Sequence, residues 1–90
     1  MITINFSPAL SDILSNIGVL RVEASTLREA IDDLEKRHGG IREKLLDDDG
    51  NLLGHVNIYC NGKDIRLLKN LETPLNDGDE VAIIAAVWGG

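Results

Sequence analysis

Aromatic residues are scarce in this chain of 90 residues, where they make up 3% of the sequence. The three are Phe6, Tyr59 and Trp88. A folded core must therefore be built from Ile, Leu, Val and Ala. Cysteine is scarcer still: Cys60 stands alone, which excludes an internal disulfide framework. Cys60 shares strand parity with Ile58, so we expect an inert buried thiol rather than a reactive one.

Long apolar runs and an excess of positive charge are also missing. No run approaches the roughly 20 residues that span a membrane, and the first residues lack the basic start and apolar stretch of a signal peptide. The net charge of −6 argues against nucleic acid and anionic membranes as partners. It favours docking onto a basic patch of another protein. We therefore expect a cytoplasmic protein.

Recognisable catalytic and metal-binding sets are missing as well. Asp47, Asp49 and Asn51 resemble the start of a calcium loop, but Leu52 stands where Gly is required and Ile58 where Glu is required. The two histidines are far apart and have no ligand-spaced neighbours, so no metal site is expected. The chain shows no Ser/His/Asp set, carboxylate pair or phosphate-binding glycine loop, and we do not expect an enzyme.

The residues that are present predict one globular domain. The hydrophobic fraction of 43% is typical of a folded rather than a disordered chain, and 90 residues suit a single domain. Ile2, Ile4 and Phe6 alternate with polar residues and predict a strand. A second strand is expected over Val19–Ala24, paired to the first after a connection from Ser7 to Gly18.

A capped helix follows the second strand. Thr26 and Glu29 form a capping box, in which each side chain reaches a backbone N–H of the other residue. An apolar stripe repeats at i, i+3, i+4 and i+7: Leu27, Ala30, Ile31 and Leu34. Two i,i+4 ion pairs are expected on the other face, Asp32–Lys36 and Asp33–Arg37. Gly39 and Gly40 supply the stop, and a helical turn is expected over Ile41–Leu46.

The second half of the chain predicts strands and turns. Asp47–Gly50 is expected to be a turn, and Val56–Cys60 a strand. Asn61-Gly62 is a strong hairpin signal, with Lys63–Leu68 returning as a short strand. Glu80–Ala86 is nearly all apolar, which suits a central strand buried on both faces. Strands, one helix and further strands predict an α+β domain, a mixed sheet with one helix across one face.

The sequence ends in Gly89 and Gly90. Two glycines form a flexible segment that can pass through a narrow channel. The carboxylate of Gly90, with a reference pKa of about 3.5, would be ionised and nucleophilic at neutral pH. It could attack the α-phosphate of ATP and become an acyl-adenylate. The alternative is a frayed end or an arbitrary boundary, as chain termini often are.

Taken together, these elements resemble the ubiquitin-like sulfur carriers, which include the small subunit of molybdopterin synthase and the thiamin-biosynthesis carrier. The most specific part of the resemblance is Leu75–Gly90, with its Asn-Asp-Gly-Asp turn, apolar strand and diglycine. Three stretches are most similar to the carrier of cysteine biosynthesis: Asp33–Glu35, Gly40–Leu45 and Val56–Arg66.

The resemblance implies a β-grasp fold of four to five strands over residues 1–86, with a flexible tail over residues 87–90. It also implies that a ubiquitin-activating-type enzyme uses ATP to adenylate Gly90, and that sulfide then replaces AMP to leave a thiocarboxylate. In the cysteine branch, that sulfur adds to an aminoacrylate held on pyridoxal phosphate by a partner synthase. ATP and pyridoxal phosphate thus belong to the partners, and no cofactor is expected on this chain.

One residue of the tail departs from the family pattern. Val87, Trp88 and Gly89 are expected to thread into a partner ahead of Gly90, yet the residue before the diglycine is commonly small in the family. Extended, Val87–Gly90 spans roughly 13 Å. Trp88 would sit near the mouth of the receiving channel, where it either occupies an aromatic-tolerant pocket or blocks partners built for a small residue.

Other functions stay open at this point. A ubiquitin-like modifier joined through Gly90 to lysines of target proteins needs the same adenylate. A small subunit of molybdopterin synthase would form a stable complex with a large subunit. A binding module with an incidental Gly-Gly end would not need either glycine.

A docking surface is expected on the sheet face that the helix leaves uncovered. A domain with one main helix covers one face of its sheet, so alternation in the last strand places Ile84 on the other face. Tyr59 and Arg66 are expected beside it, since Tyr and Arg are favoured anchors at interfaces. The alternative is that the Ser7–Gly18 connection covers Ile84.

Overall fold

The computed structural model describes residues 1–8, 10 and 18–85. The described residues form a five-stranded mixed sheet with one main helix across one face. The strands are β1 (Ile2–Phe6), β2 (Val19–Val22), β3 (Val56–Cys60), β4 (Lys63–Asp64) and β5 (Glu80–Ala85). The helices are α1 (Leu27–Arg37) and α2 (Ile41–Leu45), with short 3₁₀ helices at Ile65–Leu67 and Asn70–Glu72. None of the helices described is long and apolar enough to cross a membrane.

The sheet order is β2-β1-β5-β3-β4, so β5 lies at the centre. β1 and β5 run parallel, with Ile4 opposite Val81, and the remaining neighbours are antiparallel. The predicted pairing of the first two strands and the central position of the last are confirmed. β5 is not buried on both faces, however, because its side chains alternate between the core and an exposed face.

Helix α1 packs its apolar stripe on the core face of the sheet. The four predicted stripe residues are all buried: Leu27, Ala30, Ile31 and Leu34. Thr26 is the N-cap, and its hydroxyl accepts from the backbone N–H of Glu29 at 3.2 Å. The Glu29 carboxylate reaches Ser25 N–H at 3.3 Å rather than that of Thr26, so the reciprocal half of the predicted capping box is shifted by one residue.

Polar contacts around the helices differ in part from the predicted set. Arg37 pairs with Asp33 at 3.0 Å, as predicted, but Asp32 pairs with Arg42 on α2 at 3.0 Å instead of with Lys36. The Glu35 carboxylate accepts from Gly40 N–H at 3.1 Å and from Arg42 N–H at 2.9 Å. These bonds tie α1 to α2 across the predicted Gly39-Gly40 stop.

The hairpin after β3 is shorter than predicted. Asn61 and Gly62 both have positive φ, 51° and 85°, as expected for a two-residue turn of type I′. The strand then lasts only two residues instead of extending to Leu68. The Asp64 carboxylate accepts from Arg66 N–H at 2.9 Å, which caps a 3₁₀ helix and turns the chain away from the sheet.

The boundaries of two other predicted segments also change. β2 ends at Val22 rather than Ala24, because the chain turns there towards the N-cap of α1. The Ser7–Gly18 connection is described only in part, with residues 9 and 11–17 outside the described residues. Within it, Leu10 is buried in the core.

Candidate functional site: the open face of the sheet

The face of the sheet opposite α1 carries polar and partly exposed side chains. In β5, Val81 and Ile83 are fully buried. Ile84, the next residue along the strand, is 42% exposed. This exposure places Ile84 on the uncovered face, as the alternation of β5 predicted. The alternative, that the Ser7–Gly18 connection covers Ile84, falls mainly on residues outside the described ones. A large apolar side chain left on such a face is a feature of surfaces that meet another protein.

Arg66 lies against the same part of the face. Ile84 is opposite Asn57 in the β3–β5 ladder. The Arg66 guanidinium donates to Asn57 Oδ1 at 2.8 Å and to the Val56 carbonyl oxygen at 3.1 Å. It also lies 3.5 Å from the Asp64 carboxylate. The structure therefore places Arg66 next to Asn57, the cross-strand partner of Ile84. Several hydrogen bonds hold the Arg66 side chain in this position.

Tyr59 lies two residues further along β3, on the same face as Asn57. It is opposite Ala82 in β5, and its side chain is half-buried. Together with Asn5 and Glu80 it lines a shallow hollow of about 340 Å³. The three residues predicted for docking thus share one face of the sheet, and that they bind a partner stays a prediction.

The end of β5 is anchored on both sides. On one side, Ala85 is opposite Val56 in β3. On the other, Ser7 Oγ accepts from Ala85 N–H at 3.2 Å, and Ser7 N–H donates to the Ile83 carbonyl oxygen at 3.0 Å. Sequence reasoning missed Ser7, because a lone serine after a strand gives no local signal of a contact so far along the chain.

The predicted chemical site follows directly after this anchor. Val87, Trp88, Gly89 and Gly90 all lie outside the described residues, as does the predicted domain boundary at residue 86. Ala85 itself is held from both sides, by Ser7 and by Val56, at the end of the strand that carries Ile84.

The Cys60 thiol is the one nucleophile that the described core contains. It is buried at the end of β3, as predicted. Burial raises the pKa of the thiol, and the nearby charge of Asp79 adds to the effect. Among residues 1–8, 10 and 18–85, no group of three or more His, Cys, Asp or Glu side chains could hold a metal ion.

Comparison with known proteins identifies the family. The sequence profile of the ThiS family matches residues 18–90, which include β2 to β5 and the diglycine. This chain belongs to the ThiS family. The resemblance to the ubiquitin-like sulfur carriers is thereby confirmed.

Two curated relatives carry different names, one as a sulfur carrier and one as a protein modifier. The sulfur carrier protein CysO of Mycobacterium tuberculosis is 46% identical over 77 residues, covering 81% of this chain and 83% of that protein. The small archaeal modifier protein 3 of Haloferax volcanii is 33% identical over 66 residues, covering 73% of this chain and 71% of that protein.

A chain from a solved protein complex has the same fold as this chain. A chain from the crystal structure of the Amycolatopsis orientalis BexX/CysO complex superposes on this chain with a TM-score of 0.90 and 32% identity, covering 100% of both chains. The β-grasp fold expected from the sequence is confirmed.

Proposed function

We propose that this chain is a sulfur carrier whose Gly90 carboxylate is converted to a thiocarboxylate, with cysteine biosynthesis as the pathway that receives the sulfur. The observation that carries the proposal is the 46% identity to a curated sulfur carrier protein over most of both chains. The family match also extends through Gly90, so the reacting residue lies in the matched region.

The chemistry requires two substitutions, both performed by a partner ATPase of the ubiquitin-activating type. A Gly90 carboxylate oxygen attacks the α-phosphate of ATP, and pyrophosphate leaves. Hydrosulfide then attacks the acyl carbon, AMP leaves with the bridging oxygen, and the terminus holds sulfur in place of oxygen. At a partner synthase, the thiocarboxylate sulfur then adds to an electrophilic substrate, which the pyridoxal phosphate of that synthase would activate, and a thioester forms. Hydrolysis of the thioester breaks the bond between sulfur and the Gly90 acyl carbon, frees the product and restores the carboxylate. The need for ATP favours the cytoplasm.

The role of this chain's own residues is presentation. In the proposed function, the partner enzymes supply the catalytic residues and the cofactors. The anchored end of β5 and the open face supply a rigid platform, because the hydrogen bond from Ala85 N–H to Ser7 Oγ and the pairing with Val56 fix Ala85. A partner enzyme that binds this face holds Ala85 at a defined position relative to its own active site. Less entropy is then lost when Gly90 enters that active site.

The first experiment tests the chemical site. Deleting Gly90, or adding one alanine after it, should abolish ATP-dependent adenylation and sulfur loading by the partner ATPase. Both variants should keep the melting temperature of the parent chain, because the described core ends at Ala85. The intact mass of the parent should rise by the difference between sulfur and oxygen. A chain extended by alanine that still accepts sulfur would refute the proposal.

The second experiment tests the docking face. Ile84→Asp should leave the fold intact, because Ile84 is exposed, and should raise the KM for the carrier in the adenylation reaction by about tenfold, typical of losing an interface anchor. Lys36→Asp is the control, since Lys36 is exposed on α1, which packs against the other face of the sheet. Equal effects of the two variants, or unfolding of Ile84→Asp, would contradict this assignment.

The relative from Haloferax supports a second candidate, conjugation to proteins through Gly90. The same adenylate would then be attacked by the ε-amino group of a target lysine, and AMP would leave as an isopeptide bond forms. Mass spectrometry of digested cell protein distinguishes the two functions. Lysines that carry Gly89–Gly90 indicate a modifier, whereas a thiocarboxylate on the free chain without such conjugates indicates a carrier.

A further inference from the structure

A second surface lies away from the end of β5. A groove of about 640 Å³ opens where β3 and β4 meet, and the buried Cys60 forms part of its wall. Cys60 is opposite Val81, near the start of β5, whereas Ala85 at the other end is opposite Val56. Four residues of strand separate the two positions, roughly 13 Å. The groove is therefore at the opposite end of β5 from Ala85.

Two exposed leucines form the apolar side of this groove. Leu67 is 80% exposed and Leu68 is 38% exposed, and both line it. Leu67 is the most exposed large apolar side chain among the described residues. Water surrounds both side chains in the free chain, so covering them would be favourable by the hydrophobic effect.

The loop that carries the leucines is internally fixed. Thr73 is 4% exposed, and its hydroxyl donates to the Asn70 carbonyl oxygen at 2.6 Å while accepting from Lys69 N–H at 3.2 Å. The Asp64 carboxylate caps the other end of the loop at Arg66 N–H. These bonds already order the loop in the free chain. Binding of a partner over the leucines therefore costs little conformational entropy of the loop.

Two of the three charged side chains that line the groove are positive, although the whole chain is acidic at −6. Lys63 and Lys69 line it, and neither forms an ion pair within the described part of the chain. Asp79 also lines it, but its carboxylate accepts from Asn76 N–H at 2.8 Å and from the Asn61 amide at 3.0 Å. These bonds hold the pKa of Asp79 below its ordinary value and direct its oxygens into the turn.

We propose that this groove docks a linear segment of a partner protein, one that places an apolar side chain against Leu67 and Leu68 and carboxylates against Lys63 and Lys69. The charge pattern selects this occupant, because two unpaired ammonium groups flank an apolar surface. The site goes beyond sulfur transfer. The groove lies away from Ala85, where β5 ends, because Cys60 in its wall is opposite Val81 near the start of that strand.

Selection from a displayed library of short linear peptides on the full chain tests the proposal. Enriched peptides should combine one large apolar residue with flanking Asp or Glu, and their binding should weaken as salt is raised. The double variant Lys63→Glu/Lys69→Glu and the single variant Leu67→Glu should each weaken binding by about tenfold or more. The control Lys44→Glu changes an exposed side chain of α2 that does not line the groove, and it should leave binding unchanged.

Amide chemical shifts of the chain with a selected peptide locate the site and check folding. Shifts clustered at residues 60–69 and 73–79 support the proposal. Enrichment of peptides without acidic residues, no enrichment at all, or shifts centred on Tyr59 and Ile84 would each overturn it. A dimer in sedimentation experiments that Leu67→Glu dissolves would assign the groove to a second copy instead. None of these results depends on adenylation, so the proposed function can fail or stand independently.

Discussion

At the scale of single residues, Cys60 shows how burial decides the chemistry of a side chain. Its thiol lies at the end of a buried strand face and is 7% exposed. The thiolate is the reactive form, and the raised pKa of this thiol keeps it protonated at neutral pH. A carrier that is loaded with sulfur through an acyl-adenylate gains from an unreactive internal thiol, because a reactive thiolate would compete with hydrosulfide for the acyl carbon.

Cys60 should therefore react slowly with a disulfide reagent such as dithiobis-nitrobenzoate at pH 7. The expected rate in native protein is at least about tenfold below the rate in urea, where the thiol has its ordinary pKa and full exposure. Absorbance of the released thiolate measures both rates. Equal rates in the two conditions would mean that the end of β3 opens readily and that the thiol is accessible.

At the scale of elements, α1 stabilises the sheet through its buried stripe. Leu34 is the last residue of that stripe and is fully buried. Leu34→Ala should lower the free energy of unfolding by ~2–5 kcal/mol, because the change removes buried methyl groups and leaves a cavity. Urea denaturation measures the loss. Lys36→Ala, on the exposed face of the same helix, should change stability by no more than about 0.5 kcal/mol. A loss under about 1 kcal/mol for Leu34→Ala would contradict the packing described.

The junction between α1 and α2 makes stability depend on pH. Backbone N–H groups of Arg42 and Gly40 donate to Glu35 and lower the pKa of its carboxyl below the ordinary value of 4.5. The folded state thus favours the ionised form. The resulting stabilisation is complete above the unfolded pKa and is lost as pH falls through the lower folded pKa.

Glu35→Gln should accordingly make the acid side of the stability curve shallower below about pH 4.5. Asp79 has a lowered pKa for a similar reason and should keep part of the slope in the variant. Urea denaturation at several pH values gives the two curves. Glu43→Gln on exposed α2 is the control and should leave the slope unchanged. If both variants show the same slope as the parent chain, Glu35 does not contribute.

At the scale of the whole molecule, local patterns predict the elements better than their connections. The strand Ile2–Phe6 and the stripe of α1 follow from periodicity, because each element buries one face. The predicted strand Lys63–Leu68 was wrong after Asp64, since a side-chain cap on Arg66 N–H competes with the ladder. No local pattern encodes the parallel pairing of β1 with β5.

The candidate site divides in the same way. The exposure of Ile84 follows from sequence, because one helix covers one face and strand residues alternate. The position of Arg66 beside Asn57 depends on the turn after β4, and the contact of Ser7 with Ala85 joins opposite parts of the chain. Such contacts require the folded structure. The role of Gly90 rests on the family resemblance, since its surroundings lie outside the described residues.

The central position of β5 also sets the timing of events on the ribosome. Ile4 in β1 pairs with Val81, so β1 lacks its parallel partner until almost the whole domain has been translated. This delay is roughly 4 to 15 s at ~5–20 residues per second. A nascent chain that stops before residue 80 has no centre to its sheet and should be a substrate for proteases. Residues 86–90 are translated directly after β5. Under the proposed function, every chain whose Gly90 is adenylated therefore already contains all five strands, so synthesis of the whole domain precedes activation.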